Sequence, residues 1–458
     1  MKITTYKRYL LVVLLTILAF NFVDRLALGL VLQNIKADLR LSDTELGFLS
    51  GIAFAMFYSV MGIPIARWAD RGDRVKIISL TAALWSVAVA LCGMASSFLQ
   101  LLLIRVGVAV GEAGCIPPAN SLIADSFVRA ERPRAVAVYM LGGPLSVVIG
   151  YFLAGWLNEF YGWRAMFTLL GLPGIGLSAL GWFTLREPRR EAVSVEITDG
   201  TAATGASSSE TSPLTVTQPS LKEVCGTLSA NSTFRHLLLC FSVVTFFGYG
   251  ILQWQPAFFI RSYGLKTGEL GTWFAVIYGL GGMLGTYLGG ELAYRYAANN
   301  ERLQLRAMGF AYASFGIVSA LMYLSSNHYI AFALMGLTAV GGAMNNGPLY
   351  ATIQTLVPQR MRAVSIAVIY LFANLIGMGL GPLAAGALSD ALKPLVGEES
   401  LRYALLILCP GYLWGGWHAW QAGRTVGRDL EAAQLHSVRG VGQELVVPTA
   451  TPTKPSVA

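Results

Sequence analysis

Residues 9–32 read YLLVVLLTILAFNFVDRLALGLVL, a mostly apolar run that contains one acid–base pair, Asp24-Arg25. A helix of about 20 apolar residues, rising about 1.5 Å per residue, crosses the roughly 30 Å hydrocarbon core of a bilayer. Backbone polar groups find no water in lipid, so such a run must be helical to satisfy them internally. The stretch therefore predicts a membrane-spanning helix that carries two charges inside the membrane.

Eleven further apolar runs follow, near 46–66, 76–95, 98–120, 134–157, 163–185, 234–258, 268–292, 306–325, 328–351, 362–388 and 401–420. The composition agrees, because 55% of the 458 residues are hydrophobic and only 13% are charged. An ordinary soluble domain has about 25% charged residues and would need them to cover its surface. We predict an all-α membrane protein of twelve transmembrane helices in two six-helix bundles.

The two bundles are predicted from an internal repeat. The segment RAVAV at 134–138 recurs as RAVSI at 362–366, and ELG at 45–47 recurs as ELG at 269–271. Both pairs have nearly the same spacing, which indicates two related halves. The predicted organisation is a first bundle at 1–190, a cytoplasmic linker at 191–232, a second bundle at 233–423 and a flexible cytoplasmic tail at 424–458.

The distribution of basic residues predicts the topology. Of the 33 Lys and Arg residues, 24 fall in segments on the same side as the N-terminus, 7 on the opposite side and 2 within spans. Cytoplasmic loops carry such an excess, so we expect both termini in the cytoplasm and the protein in the inner (plasma) membrane. The net charge of +8 is thereby explained without a nucleic-acid partner.

Four ionisable residues stand out inside the predicted spans, away from their ends: Asp24, Arg25, Arg105 and Glu112. Charged groups in a membrane are costly and mark functional sites. At about 1.5 Å per residue, Asp24 and Arg105 reach similar depths from opposite sides, so we expect them to pair. Glu112 shares a helix face with Arg105 but has no second arginine obvious nearby, which would leave Arg25 or Arg105 to attract an anionic substrate group.

A buried carboxyl balanced between desolvation and a nearby arginine can bind and release a proton. We therefore predict that Asp24 and Glu112 couple transport to protons. The alternatives are a static ion pair that holds two helices together, and sodium as the driving ion. In the second half, Gln253, Trp254, Asn345, Asn346 and Asn374 are candidate substrate-binding residues, because buried polar groups need either a neighbouring helix or a ligand.

The loop after the second span reads ARWADRGDRVK at residues 66–76. It resembles the loop between helices two and three of the major facilitator superfamily, roughly G-x-x-x-D-R-x-G-R-[RK], with Ala66 in place of the leading glycine. The resemblance implies a gate formed by Asp70, Arg71 and Arg74 that locks the cytoplasmic side. Anchoring by positive charge would explain the arginines but not Asp70. The second half has Ala298-Asn299 at the corresponding place, which predicts an asymmetric gate.

A closer resemblance is to the spinster-type subfamily. It lies in NFVDR at 21–25, GIPI at 62–65, RVGVAVGEAG at 105–114 and GWR at 162–164. The resemblance implies that Asp24, Arg25 and Glu112 are coupling and cavity residues, with Asn21 as a further substrate-binding candidate. It also implies that an amphipathic or anionic molecule, such as a lysolipid or a sphingoid phosphate, is carried. A drug or organic-acid carrier of the same fold and a non-transporting sensor are the alternatives.

Several motifs are absent from the sequence. There is no G-x-x-x-x-G-K-[ST] phosphate loop, no G-x-S-x-G nucleophile motif and no metal-binding spacing among the four histidines. We therefore expect no ATP drive, no enzymatic activity, no cofactor and no metal. The expected partners are the small-molecule or lipid substrate, the proton and the bilayer, and the expected assembly is a monomer.

Overall fold

The structure is a computed structural model that describes residues 3–188, 221–297, 300–345, 349, 352, 353, 355–357 and 361–444. In the first half, the six spans consist of the helices Ile3–Leu39 (span 1), Asp43–Ser50 and Ile52–Arg71 (span 2), Arg74–Cys92 (span 3), Phe98–Glu112 and Ile116–Ser126 (span 4), and Arg132–Met140 followed by Gly142–Thr184 (spans 5 and 6). Spans 5 and 6 are separated at Gly162, whose φ of 80° suits glycine and turns the chain back.

A short helix, Leu221–Ala230, leads into the second half. Its spans consist of the helices Ser232–Tyr263 (span 7), Thr267–Ala297 (span 8), Glu301–Leu324 (span 9), His328–Met344 (in span 10), Arg362–Phe372 with Gly381–Val396 (span 11), and Ser400–Leu408 with Gly411–Glu444 (span 12). A π-helical segment, Ala373–Leu380, joins the two helices of span 11. A single 3₁₀ turn, Gly397–Glu399, separates spans 11 and 12.

The predicted fold class is confirmed. Within the described residues, eight helical stretches are long and apolar enough to cross a membrane. Two of them, Arg132–Thr184 and Val368–Glu431, each hold two crossings, because the chain turns back inside them. The helices Thr267–Ala297 and His328–Met344 supply the remaining two of the twelve.

Local sequence explains where several spans begin and end. Ser42 and Glu45 form a reciprocal capping box at the start of span 2, and Asp73 accepts a hydrogen bond from the Lys76 amide at the start of span 3. Gly264 ends span 7 in the left-handed conformation, with φ of 67°.

The predicted domain boundaries stay predictions. Residues 191–220 of the linker and 445–458 of the tail lie outside the described part of the chain. The helix Leu221–Ala230 falls within the predicted linker, and the last helix continues beyond residue 423 to Glu444, into the segment predicted to be a flexible tail.

The helices alternate in direction, so the bundle has two ends. The Asp43 end carries the connections at 40–42, 93–97, 264–266, 325–327 and 397–399, and the Arg74 end carries those at 72–73, 127–131 and 185–188. On the predicted topology the Asp43 end is outside the cell and the Arg74 end is cytoplasmic.

The halves are in close contact at the Asp43 end. A methyl group added at Gly47, Gly155 or Gly386 would collide with a backbone oxygen of the opposite half, belonging to Pro382, Thr267 or Asp43 respectively. Glycine is required here because only a residue without Cβ allows two backbones to approach so closely.

Spans 2 and 8, here called the gate helices, have open space beside them toward the Arg74 end. A methyl group added at Gly62 of span 2 or at the equivalent Gly290 of span 8 would meet open space. Val60 and Ile63, on the same turn of span 2 as Gly62, are 59% and 61% exposed. Close backbone contact between the halves is thus found at the Asp43 end, whereas these positions toward the Arg74 end have no neighbour from the opposite half.

Candidate functional site

A cavity of about 290 Å³ lies between the two halves. Spans 1, 2, 4 and 5 line it from the first half, and spans 7 and 11 line it from the second. Most of the lining is apolar or aromatic. The polar side chains that face it, other than tyrosines, are Arg25, Ser50, Arg105, Ser146 and Gln253. The candidate site is this cavity, bounded by the closed Asp43 end and by the lining that carries Arg25 and Arg105.

The predicted ion pair between spans 1 and 4 is confirmed. Arg105 Nη1 donates to Asp24 Oδ2, and both side chains are almost completely buried. The ring of Phe54 lies under the guanidinium, with its centroid 5.3 Å from Arg105 Cζ. Spans 1 and 4 run antiparallel and place these two residues at one depth, as the helix rise predicts.

Glu112 has an arginine partner of its own, which the sequence analysis did not foresee. Arg25 Nε donates to Glu112 Oε2 at 2.7 Å, and Nη2 lies 2.5 Å from the same oxygen. The expectation that Glu112 lacks a second arginine, and that Arg25 or Arg105 stands unpaired, is therefore wrong in this conformation. Asp24 and Arg25 are adjacent on span 1 and project about 100° apart, so each reaches a different residue of span 4.

Three aromatic rings surround the Arg25 guanidinium. Its Cζ lies 4.5 Å from the ring centroid of Phe54, 4.7 Å from that of Tyr58 and 4.8 Å from that of Phe22. Rings at this distance attract a cation, and more strongly when it is desolvated. Tyr58 is not among the residues that the sequence singles out; the only signal for its contact with Arg25 is the four-residue spacing of Phe54 and Tyr58, which places both on one helix face.

Two carboxyl oxygens of the cluster have no hydrogen-bond partner among the described residues. They are Asp24 Oδ1 and Glu112 Oε1, and both are buried. The other oxygen of each carboxyl is held by an arginine, Asp24 Oδ2 by Arg105 and Glu112 Oε2 by Arg25. A proton on either carboxyl would turn that group into a hydrogen-bond donor, because an ionised carboxyl only accepts.

The whole chain was compared with known proteins. The profile of the Major Facilitator Superfamily matches residues 14–416. The chain belongs to the major facilitator superfamily.

Similar proteins in the superfamily are transporters. An MFS-type efflux pump of Mycolicibacterium smegmatis is 31% identical, over 90% of this chain and 91% of that protein. A probable L-galactonate transporter of Escherichia coli is 26% identical, over 84% and 83%. A crystal structure of a bacterial homologue of the human lysosomal transporter Spinster, inward-facing and unoccupied, aligns with a TM-score of 0.77 at 29% identity, covering 93% of this chain and 98% of that one. This protein is thus a multi-pass membrane transporter of the spinster-like kind and not an enzyme.

The superfamily loop at 66–76 has its last arginine fully buried. Arg74 pairs with Glu187, which also accepts from the Arg74 backbone amide at 2.7 Å, and with Asp125 at 2.6 Å. The guanidinium donates in addition to the carbonyl and hydroxyl oxygens of Ser121. Arg74 therefore joins spans 3, 4 and 6 within the first half. No sequence signal pointed to Glu187, because it lies just after the sixth predicted span (163–185), outside the apolar run in which a buried charge would stand out.

Asp70 and Arg71 are exposed at the end of span 2, on the side where the halves separate. Their gating role stays a prediction. Ala298 and Asn299, the residues that would correspond to them in the second half, lie outside the described residues.

Of the candidate substrate-binding residues of the second half that the structure describes, one lines the cavity. It is Gln253; a methyl group added at Gly29 of span 1 would lie 3.2 Å from its Nε2 atom. Trp254 is fully buried and donates from its ring nitrogen to the Pro382 carbonyl at 2.9 Å. Asn345 lines a separate, mostly apolar pocket between spans 8, 9 and 10.

The three remaining substrate-binding candidates are asparagines. Asn374 lies in the π-helical segment of span 11 and is half-buried, and Asn346 lies outside the described residues. Asn21 is completely buried, and neither atom of its amide has a partner among the described residues. It lies three residues before Asp24 on the same helix face, behind the cavity wall. The cavity residues that the sequence analysis did not single out include Met378, whose sulfur lies 3.9 Å from Arg25 Nη1 across the cavity.

Among the described residues, no group of three or more His, Cys, Asp or Glu side chains is arranged to hold a metal ion. The chemistry of the site therefore lies in its two carboxyls, its two guanidinium groups and the apolar wall around them.

Proposed function

We propose that the protein is a proton-coupled secondary active transporter that works by alternating access and moves an amphipathic anion, with lysolipids and sphingoid-phosphate-like lipids as the substrate class to test first. The observation that carries the proposal is the cluster of Asp24, Arg25, Arg105 and Glu112 at the cavity wall. Two carboxylates and two guanidinium groups compensate each other when all four are ionised, so adding one proton leaves one positive charge.

That positive charge supports coupling between a proton and an anion. A proton on Glu112 would weaken its hold on Arg25, the partly exposed member of the pair, with 19% of its side chain accessible. Arg25 would then attract an anionic group from the cavity. With one proton and one anion bound, the cluster is again neutral. A neutral cluster has the lowest desolvation cost in a low-dielectric cavity.

The lining supports an amphipathic substrate. Leu26, Leu28, Val147, Leu252 and Met378 offer apolar contact close to the single cationic group that is partly accessible. Such a cavity suits one anionic head and an apolar body, because each apolar group buried in it contributes favourably while each unpaired polar group costs.

Alternating access requires that the cavity open at one end at a time. The Asp43 end is closed by contact between the halves, and on the predicted topology the cavity is then open toward the cytoplasm. We propose that Asp70, Arg71 and Arg74 help to close the Arg74 end in the opposite state, with both termini in the cytoplasm and the protein in the plasma membrane.

An organic-acid carrier is the second candidate, supported by the similarity to a probable L-galactonate transporter. A sugar acid carries hydroxyl groups along its whole length and needs many hydrogen-bond partners. Besides the arginines and the tyrosines, the described residues of the cavity lining offer only Ser50, Ser146 and Gln253 for that purpose. This difference favours the amphipathic anion.

Flux into reconstituted vesicles with an imposed pH gradient tests the proposal. Candidate substrates are a lysophospholipid, sphingosine phosphate, galactonate and a cationic dye, and an entrapped pH indicator reports proton movement. We expect pH-driven uptake of the amphipathic anions, and its loss in Glu112→Gln and in Asp24→Asn. Glu131→Gln is the matched control, because Glu131 pairs with Lys7 at the surface and lies away from the cavity.

Unchanged pH-driven flux in both cluster variants would contradict proton coupling. Uptake of galactonate alone would favour the organic-acid carrier. Binding of a lipid without counterflow would indicate a sensor that transports nothing.

A further inference from the structure

Two carboxylates at the Asp43 end bind the first turns of helices that belong to the opposite half. Asp390 of span 11 accepts from the backbone amides of Asp43 and Thr44, at 3.1 and 2.7 Å, and from the Thr44 hydroxyl at 2.7 Å. Asp43 and Thr44 are the first two residues of the helix that opens span 2. The second half thus caps a helix of the first.

The reverse arrangement is found on the other face of the bundle. Glu159 of span 5 accepts from the backbone amide of Gly268 at 2.8 Å. Gly268 is the second residue of span 8, and in the internal repeat it corresponds to Thr44, because Glu269-Leu270-Gly271 matches Glu45-Leu46-Gly47. The first half therefore caps the equivalent helix of the second.

The physical effect of both contacts is the same. The first amides of a helix have no partner within it, and the helix dipole makes this end partly positive. A carboxylate there forms hydrogen bonds assisted by its charge. Since each carboxylate and its helix lie in different halves, both contacts exist only while the Asp43 end is closed.

Further contacts surround each cap. On the face of spans 2 and 11, the buried Asp43 carboxylate accepts from Arg261 of span 7 at 2.6 and 2.8 Å and from Ser389 at 2.7 Å. On the face of spans 5 and 8 the neighbouring contacts are uncharged: the Asn158 amide donates to Thr267 at 3.0 Å, and the Trp156 ring nitrogen donates to Thr272 at 3.1 Å. The first face is thus held by charge and the second mainly by neutral hydrogen bonds.

We propose that Asp390 and Glu159 are a matched pair of latches, each holding the Asp43 end shut through the start of a gate helix in the opposite half, and that both must release before the cavity opens at that end. The inference rests on the proposed alternating access. Asp390 and Glu159 would then determine the fraction of molecules in which the Asp43 end is open.

The test measures access to the cavity from each side of the membrane. Val147→Cys places a thiol in the cavity lining, in a background with Cys225→Ser, since Cys92, Cys115, Cys240 and Cys409 are buried. A membrane-impermeant maleimide is applied to intact cells and to inside-out vesicles. Arg40→Cys, exposed at the Asp43 end, identifies the side on which that end lies.

We expect Asp390→Ala and Glu159→Ala each to raise the labelling rate from the Asp43 side about fivefold, the factor that corresponds to loss of one helix cap. The double variant should show about the product of the two factors, because the contacts lie on different faces and share no partner. Asp390→Asn keeps the shape and one acceptor and should fall between wild type and alanine.

Asp38→Ala is the matched control. Asp38 is a carboxylate at the same end, but its partner Arg164 belongs to the same half, at 2.9 Å. Labelling of this variant should equal that of the wild type. Equal labelling of wild type and the double alanine variant, or an increase in Asp38→Ala as large as in the latch variants, would overturn the latches.

Failure of the proposed function gives a different result. If the wild-type cavity is labelled from one side only, whatever the pH or the substrate added, alternating access is wrong. In that case labelling of the double variant from the Asp43 side still supports the latches, and its absence still refutes them. Total labelling in detergent verifies that the variants retain the folded cavity.

Discussion

Asp24→Asn would remove one charge from a pair that is closed off from water. Asp24 and Arg105 are each only 2% exposed, so the guanidinium left behind has no solvent to replace its partner. Removing one member of a buried ion pair costs about 3–5 kcal/mol, whereas replacing both members together is often nearly neutral. We expect the free energy of unfolding to fall by about 3 kcal/mol in Asp24→Asn, by about the same in Arg105→Met, and by no more than this in the double variant.

The quantity to measure is the coupling in this double-mutant cycle, about 3 kcal/mol by the same reasoning. Unfolding by denaturant in mixed micelles, followed by tryptophan fluorescence, provides the four free energies. The control cycle uses Asp38 and Arg164, whose side chains are 46% and 39% exposed at 2.9 Å. Such a surface pair contributes about 0–1 kcal/mol.

A coupling for Asp24 and Arg105 as small as that of the surface pair would refute the reasoning. It would mean that Asp24 is not ionised opposite Arg105 in the folded protein. A large coupling combined with normal pH-driven flux in Asp24→Asn would instead assign the pair a purely structural role and leave proton coupling to Glu112.

Phe54, Gly386 and Glu187 provide three further tests. Phe54→Leu removes the ring that faces both Arg25 and Arg105, at 4.5 and 5.3 Å, and should lower vesicle flux about three- to tenfold. Phe160→Leu alters an exposed ring at the surface and should leave flux unchanged; equal flux in the two variants would contradict the role of the aromatic rings. Gly386→Ala forces a methyl group against the Asp43 carbonyl and should raise maleimide labelling of the cavity from the Asp43 side. Gly62→Ala is its control, because the added methyl group meets open space. Equal labelling of the two variants would contradict closure by glycine contact. Glu187→Gln leaves the buried Arg74 with the half-exposed Asp125 as its charged partner. The free energy of unfolding should fall by about 2–3 kcal/mol in denaturant titrations. A value equal to that of the wild type would show that Arg74 does not need Glu187.

Much of the fold could be predicted because a membrane restricts the chain so strongly. Every spanning segment must be apolar and helical, so twelve spans and two related halves could be counted directly. The Asp24–Arg105 pair followed from the same restriction. Helix rise and bilayer thickness place a residue along one axis, and two residues at one depth on neighbouring helices tend to meet.

The rest of the site depends on rotation about the helix axes, which depth does not determine. Arg25 follows Asp24 directly, yet it reaches Glu112 and the rings of Phe22, Phe54 and Tyr58 because span 1 turns that face toward span 4 and span 2. Trp254 follows Gln253, but it packs against Pro382 while Gln253 faces the cavity. Neighbouring positions on a helix point in different directions, so amide or aromatic character alone could not separate them.

The sequence by itself determined that this is a helical membrane protein of two repeated halves, with four charges inside its spans and with Asp24 and Arg105 at matching depths. Only the tertiary structure decided which charges pair, which side chains face the cavity and which end of the bundle is closed. The physical reason is that hydrophobicity acts on each helix separately, whereas the contacts of Asp390 with Thr44 and of Glu159 with Gly268 arise only when the two halves meet in one particular arrangement.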